Sequence, residues 1–182
     1  MSAGRAGPLL AILFFSILAL ADSGRAEAQY KSYNFGFEGG YLAMTDGIGL
    51  KAHNFDLGIF GGWKASDRWW FSAKANLSFP GQLNNAPNTV IVLQISPIMV
   101  KHYFLTDAFR PSVGLTNAFF FTLNGDASVP TAVWGPGVNA GMEFKLARDL
   151  FLGFEGTAYY TFNFDGGDAA VFTVNTQLIF FL

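Results

Sequence analysis

The sequence contains no cysteine. That excludes a disulfide framework, a thiolate zinc site and a lipid-bearing N-terminal cysteine. Charge is scarce as well. Charged residues make up 13% of the chain, against ~25% in ordinary soluble proteins. The formal net charge is −2, so no broad basic field is available to hold nucleic acid. The only two histidines are His53 and His102, too far apart in sequence to suggest a metal site, and no cofactor motif is present. The longest apolar stretch, Leu9 to Ala21, has 13 residues interrupted only by Ser16. A membrane-spanning helix needs ~20.

What the chain has in quantity is apolar surface and glycine. Hydrophobic residues make up 51% of the 182, with 21 Phe and 21 Gly, in a length that suits one domain. The N-terminus reads as a secretory signal: Arg5 gives the positive start, Leu9 to Ala21 the core, and Ala26 and Ala28 a small-x-small cleavage site. Cleavage after Ala28 divides the chain into a signal peptide, 1–28, and a mature domain, 29–182.

The mature part alternates throughout. In the last twelve residues Phe172, Val174, Thr176, Leu178, Phe180 and Leu182 form one set, and Val171, Thr173, Asn175, Gln177, Ile179 and Phe181 the other. Period two means a β-strand with unlike faces. Seven earlier runs behave alike, among them Phe35, Phe37, Gly39 and Tyr41 against Gly36, Glu38 and Gly40. Another sets Leu152, Phe154, Gly156 and Ala158 against Gly153, Glu155 and Thr157. Each is long enough for the ~9–11 residues that cross a bilayer as a tilted strand. In the fifth run Asn117 shares the apolar face, which suggests a bulge or a local exception. Pro97 and Pro136 each remove a ladder donor, and bulges there would accommodate them.

The connections alternate too. Three short ones carry Asp67, Asp107 and Asp149 together with Arg68, Arg110 and Arg148, the only arginines of the mature part. Four others, Thr45 to Ala52, Pro80 to Thr89, Asn124 to Thr131 and Asn163 to Asp168, are richer in Gly, Asn and Pro. Short turns on one side and longer loops on the other are the asymmetry of outer-membrane barrels. Both termini and the short turns are then periplasmic. Trp63, Trp69, Trp70, Tyr103 and Phe109 lie beside those turns as an interfacial girdle would. A soluble barrel would show Lys and Glu on its outer face. Here the less apolar face is mostly Gly, Ser, Thr and Asn with isolated charges, which suits a narrow interior.

The chain resembles the small eight-stranded outer-membrane β-barrels of Gram-negative bacteria, the OmpA/OmpX/OmpW-like group. The resemblance implies an all-β, eight-stranded antiparallel transmembrane barrel, integral to the outer membrane and in contact with its lipids. It also implies insertion by the barrel-assembly machinery through a C-terminal signal, with Leu178, Phe180 and Leu182 as its apolar positions. The final residue is Leu where the group usually has Phe or Trp.

Alternation places Glu38, Asp56, Lys64, Lys74, His102, Glu143, Lys145 and Glu155 on the inward face. Glu38, Asp56, Lys74, His102, Glu143 and Glu155 are the candidate lumen charges. Buried charges must pair or be solvated, so the expected state is a plug of ion pairs. The alternative is a polar conduit gated by Lys74. His53 sits near Asp56, but three positions along a strand is ~10 Å of rise and places the two on opposite faces. No nucleophile–base–acid spacing appears, and no catalytic residue is assigned. Asp46, Asp165 and Asp168 read as turn residues, too few for a calcium cage. The leading expectation is a structural or interaction barrel whose partners are other envelope proteins. Small barrels of this kind also serve in cell-surface machines, including gliding-motility complexes, and that role is one form of the expectation. The alternatives are a transporter or narrow pore for small apolar molecules and a lipid-modifying enzyme.

Overall fold

The computed structural model describes residues 31–45, 50–80, 91–123, 132–163 and 168–182. The expected signal segment and most of the four longer loops lie outside the described residues. Eight strands follow one another in order: β1 (Tyr33–Thr45), β2 (Leu50–Lys64), β3 (Trp69–Pro80), β4 (Val92–Tyr103), β5 (Phe109–Thr122), β6 (Ala132–Ala147), β7 (Leu150–Asn163) and β8 (Asp168–Phe181). Each pairs antiparallel with its neighbour, and β8 returns to β1 to close the barrel. The closing ladder runs from Asn34 opposite Phe181 to Thr45 opposite Ala170. Closure leaves no unpaired edge, as a sheet crossing hydrocarbon requires.

Alternation decides which side of the wall each residue occupies. Outward positions are apolar and open, such as Phe55 at 63% exposure and Val174 at 66%. Outward aromatic rings stack across the ladder: Phe35 on Phe180 at 5.0 Å and Trp63 on Phe71 at 5.4 Å. A soluble barrel could not leave such a belt in water. It matches an apolar exterior facing lipid.

The short turns form one end of the barrel. Lys64 pairs with Asp67 across the β2–β3 turn, and Ser66 Oγ accepts from the Trp69 N–H at 3.2 Å. Lys31 reaches Asp149 of the β6–β7 turn at 3.0 Å. That contact ties the start of β1 to the turn two strands away around the closed wall.

Two expectations about irregularity separate here. The ladder of β4 slips by one residue against both neighbours, between Ile95 and Met99, so Pro97 does lie within a bulge. At Pro136 there is no slip. It stands opposite Asn117 in regular register with β5, and Asn117 remains on the outer face with Leu115 and Phe119.

The bulge has a further consequence. An inserted residue reverses the alternation beyond it. Before it Gln94 and Ser96 face inward; after it Met99, Lys101 and Tyr103 do. His102, expected in the lumen, therefore stands on the outer face. Its ring packs between Trp69 at 4.6 Å and Phe104 at 5.3 Å. Met99 and Tyr103 move from the expected outer face to the inner one, and Trp70 also faces inward, so the turn-side girdle loses two members.

Candidate functional site

The interior is layered along the barrel axis, and each layer follows from which inward residues share a height. At the loop end Leu42, Met44, Val92, Ala118, Phe120, Val133, Tyr159 and Val171 pack into one apolar cluster. Phe120 meets Tyr159 edge to face at 5.1 Å. The Tyr159 hydroxyl accepts from Gln94 Nε2 at 2.9 Å, which satisfies the polar tip of an otherwise apolar layer.

The middle layer holds most of the charge. Glu38, Asp56, Lys74, Lys101 and Glu155 are all buried. Lys74 Nζ bridges Glu38 and Glu155, at 3.3 Å from each. Lys101 forms a second, shorter pair with Glu155. Asn76 Nδ2 donates to Glu38 at 2.5 Å and to Asp56 at 2.6 Å. Ser78 Oγ donates to Asp56 at 2.8 Å, and Gln177 Nε2 to Glu38 at 2.7 Å. These donors meet the condition under which charge can be buried, because partners replace water. Glycine contributes by absence: the Asn76 side chain lies over Gly58 in space that a side chain there would occupy.

The turn-end layer is built around Arg110. Its guanidinium carbon lies 4.1 Å from the Tyr103 ring centre, 5.0 Å from Phe181, 5.4 Å from Phe151 and 5.7 Å from Trp70. Glu143 supplies the counter-charge, at 3.5 Å from Arg110 Nη1, and accepts from the Tyr103 hydroxyl at 2.5 Å. Trp70, Tyr103, Phe151, Ile179 and Phe181 form the second buried cluster.

Of the sequence-predicted lumen charges, Glu38, Asp56, Lys74 and Glu155 meet in the middle layer and Glu143 in the turn-end layer. His102 is outside the lumen. Lys64 is committed to its turn, and Lys145 is exposed near the end of β6. Lys101 and Arg110 were missed. Arg110 reads in sequence as a turn residue, yet the even positions Ser112, Gly114 and Thr116 already defined the inward side, and one step back along them reaches Arg110. His53 falls by alternation on the side of β2 opposite Asp56, so those two form no base–carboxylate couple. Among the described residues no group of three or more His, Cys, Asp or Glu is arranged to hold a metal.

A separate feature lies on the outer wall. A groove of about 700 Å³ crosses β4 to β8 over Val113, Val138, Ala140, Gly156 and Ala158, with Trp69 and His102 at one end.

Residues 8–180 match the family described as outer membrane protein beta-barrel domain. The chain belongs to that family. Its fold is also similar to three solved bacterial barrels. Against Neisserial surface protein A the TM-score is 0.61 at 15% identity, with 82% of this chain and 98% of that one covered. The N-terminal barrel domain of Pseudomonas aeruginosa OprF gives 0.55 at 12%, covering 84% and 100%. Pseudomonas aeruginosa OprG gives 0.52 at 13%, covering 85% and 99%. No curated protein matches the sequence. Family membership places the chain in the outer membrane as an integral β-barrel. At these identities the structural likeness speaks for the fold alone.

Proposed function

We propose that this protein is a closed outer-membrane barrel that works through contacts with other envelope components, not by passing solutes along its axis. The observation that carries the reading is the closure of the lumen at two heights. An apolar cluster fills the loop end, and the ring-enclosed Arg110 fills the turn end. Between them each charged group is engaged with an oppositely charged or amide partner, which leaves no train of solvated charges to conduct ions. Short turns then lie on the periplasmic side and the Gly/Asn/Pro-rich loops outside, where replacements change contacts without unbuilding the wall. Service in a multi-protein cell-surface machine, a gliding-motility complex included, is one form of this role. The outer groove faces the bilayer, so lipid chains are its natural contents. Leu178 and Phe180 lie on the outer face of β8, and exposed Leu182 follows the strand directly, where an assembly factor can read them.

Against the enzyme reading stand the separation of His53 from Asp56 and the ring-packed position of His102. The test has two arms. Purified protein in planar bilayers should show no large, steady conductance, and mild-detergent extraction after in vivo crosslinking should recover defined envelope proteins. A steady ohmic pore would overturn the closed-barrel reading. Loss of lipid A acyl chains dependent on His53 or His102 would replace the partner reading with an enzymatic one.

A further inference from the structure

The groove on the outer wall has a direction. One edge is a ladder row of outward residues: Trp69 opposite His102, His102 opposite Val113, Val113 opposite Ala140, Ala140 opposite Gly156 and Gly156 opposite Val174. The other edge is the next outward row, from Val100 through Leu115 and Val138 to Phe172, two residues nearer the loops. Between the edges lie Asn139, Thr157 and Thr173, whose side chains turn inward, so the floor is backbone. Trp69 opens β3 and His102 is next to the last residue of β4, whereas Val174 stands in the middle of β8. The groove therefore climbs from the turn-end girdle to the middle of the wall.

Its centre is bare because Ala140, Gly156 and Ala158 meet there. Packing does not demand this glycine. A Cβ on Gly156 would find Thr173 O, at 4.0 Å, as its nearest described neighbour beyond the adjacent residues, whereas one on Gly135 would run into the Tyr160 backbone. Glycine weakens a strand interior and often marks close approach of a ligand. What Gly156 supplies is space.

The dimensions select the occupant. The two edges are two residues apart, ~6.7 Å along the strands, too narrow for a helix of ~10–12 Å. From β4 to β8 the groove crosses four inter-strand steps, ~19 Å. At a strand tilt of ~40° it gains ~12 Å of depth, within the ~15 Å of hydrocarbon in one leaflet. Two copies joined by a two-fold axis would set concave against concave and leave a void. The groove is also continuous with the apolar belt that faces lipid.

We infer that this groove seats one fatty-acyl chain of a phospholipid of the periplasmic leaflet, with the carboxyl end beside Trp69 and the methyl end at Val174. The inference takes the periplasmic side of the turns from the function proposed above and adds an oriented lipid site to it. Trp69 suits the entrance, because an amphipathic ring sits at head-group depth. A chain lying here touches protein on three sides, where a chain against an evenly covered wall touches it on one, so its dispersion contacts should hold it through mild extraction.

Two measurements test this. Native mass spectrometry of the protein extracted from outer membranes in mild detergent should show a retained phospholipid. Purified protein should also be placed in bilayers of phosphatidylethanolamine and phosphatidylglycerol, with a diazirine at either end of the phosphatidylglycerol chain. The carboxyl-end probe should label Val100, His102 and Val113, and the methyl-end probe Phe172 and Val174. Both leaflets carry the same lipids, so the pattern reads the groove whichever way the barrel points in the cell. Gly156→Leu and Ala140→Leu fill the groove from outward positions. Each should abolish retention and groove labelling while heat-modifiable gel mobility stays intact. Ala75→Leu, an outward change on β3, should alter neither. A reversed pattern would overturn the inference, as would equal labelling around the whole barrel, retained lipid A in place of phospholipid, or dimers crosslinked through the groove. Should a leucine variant not fold, the labelling pattern of the unmodified protein decides. Conductance and partner recovery are untouched by any of these results, so the closed-barrel reading stands or falls on its own tests.

Discussion

The two ends of the lumen are closed by different physics. At the loop end, Leu42, Met44, Val92, Phe120, Val133 and Val171 exclude water by volume and apolar area. At the turn end, four rings surround one guanidinium, and Glu143 holds it from the side. Apart from the Tyr159 hydroxyl, which accepts from Gln94 Nε2, the first closure is apolar and gives its atoms no preferred partner, so it should accept residues of similar size. The second depends on a charge, its counter-charge and rings placed to face the cation. The turn end is therefore the specific element of the interior, and the loop end the tolerant one.

The largest expected effect comes from breaking the specific end. Arg110→Leu leaves the Glu143 carboxylate buried without its cation. Stability, from urea unfolding in micelles, should fall by about 3–5 kcal/mol. The double variant Arg110→Leu/Glu143→Leu removes both charges and should recover much of that loss, because an apolar pair of similar volume can replace a buried ion pair. If the double variant is no more stable than Arg110→Leu alone, the charge pair is not what distinguishes the two ends.

At the tolerant end the size of the change should matter more than its chemistry. Leu42→Ala creates a cavity in a fully buried site and should cost about 2–4 kcal/mol. Leu42→Met keeps volume and should cost less than about 1.5 kcal/mol. Equal losses for Ala and Met would mean that the loop-end layer is as shape-specific as the Arg110 cage.

Much of this molecule was legible from period two. Alternation places eight strands, separates the lipid-facing belt from the lumen, and puts Glu38, Asp56, Lys74, Glu143 and Glu155 indoors. What it could not supply is phase after an irregularity. Pro97 raised the suspicion of a bulge, but sequence could not say whether the bulge formed, and Pro136 raised the same suspicion where none occurs. The phase error at Pro97 was enough to exchange His102 for Lys101. Arg110 escaped for another reason: a strand end and a turn look alike when the neighbouring residues are Phe109 and Pro111. Pairing was also out of reach. Lys74 serving Glu38 and Glu155 together depends on the curvature that brings β1, β3 and β7 around one axis, and no local pattern encodes that distance.

The smallest effect tests the bulge itself and sharpens the comparison from the middle layer. Lys101 and His102 are adjacent in sequence, and only the one-residue slip after Ile95 decides which enters the lumen. With Lys101 inside, Lys101→Met removes one of two cations on Glu155. Lys74 remains at 3.3 Å, so the loss should be limited to about 1.5–3 kcal/mol, the worth of a charged hydrogen bond. With His102 outside, between Trp69 and Phe104, His102→Leu leaves every lumen carboxylate with its cation. It should cost less than Lys101→Met. An unbulged β4 predicts the reverse order, with His102→Leu the costly change and Lys101→Met nearly silent. Two single substitutions, compared in the same unfolding assay, thus report the phase of an entire half-strand. They also show whether the middle layer carries two lysines, as its ion pairs require, or one lysine and a histidine.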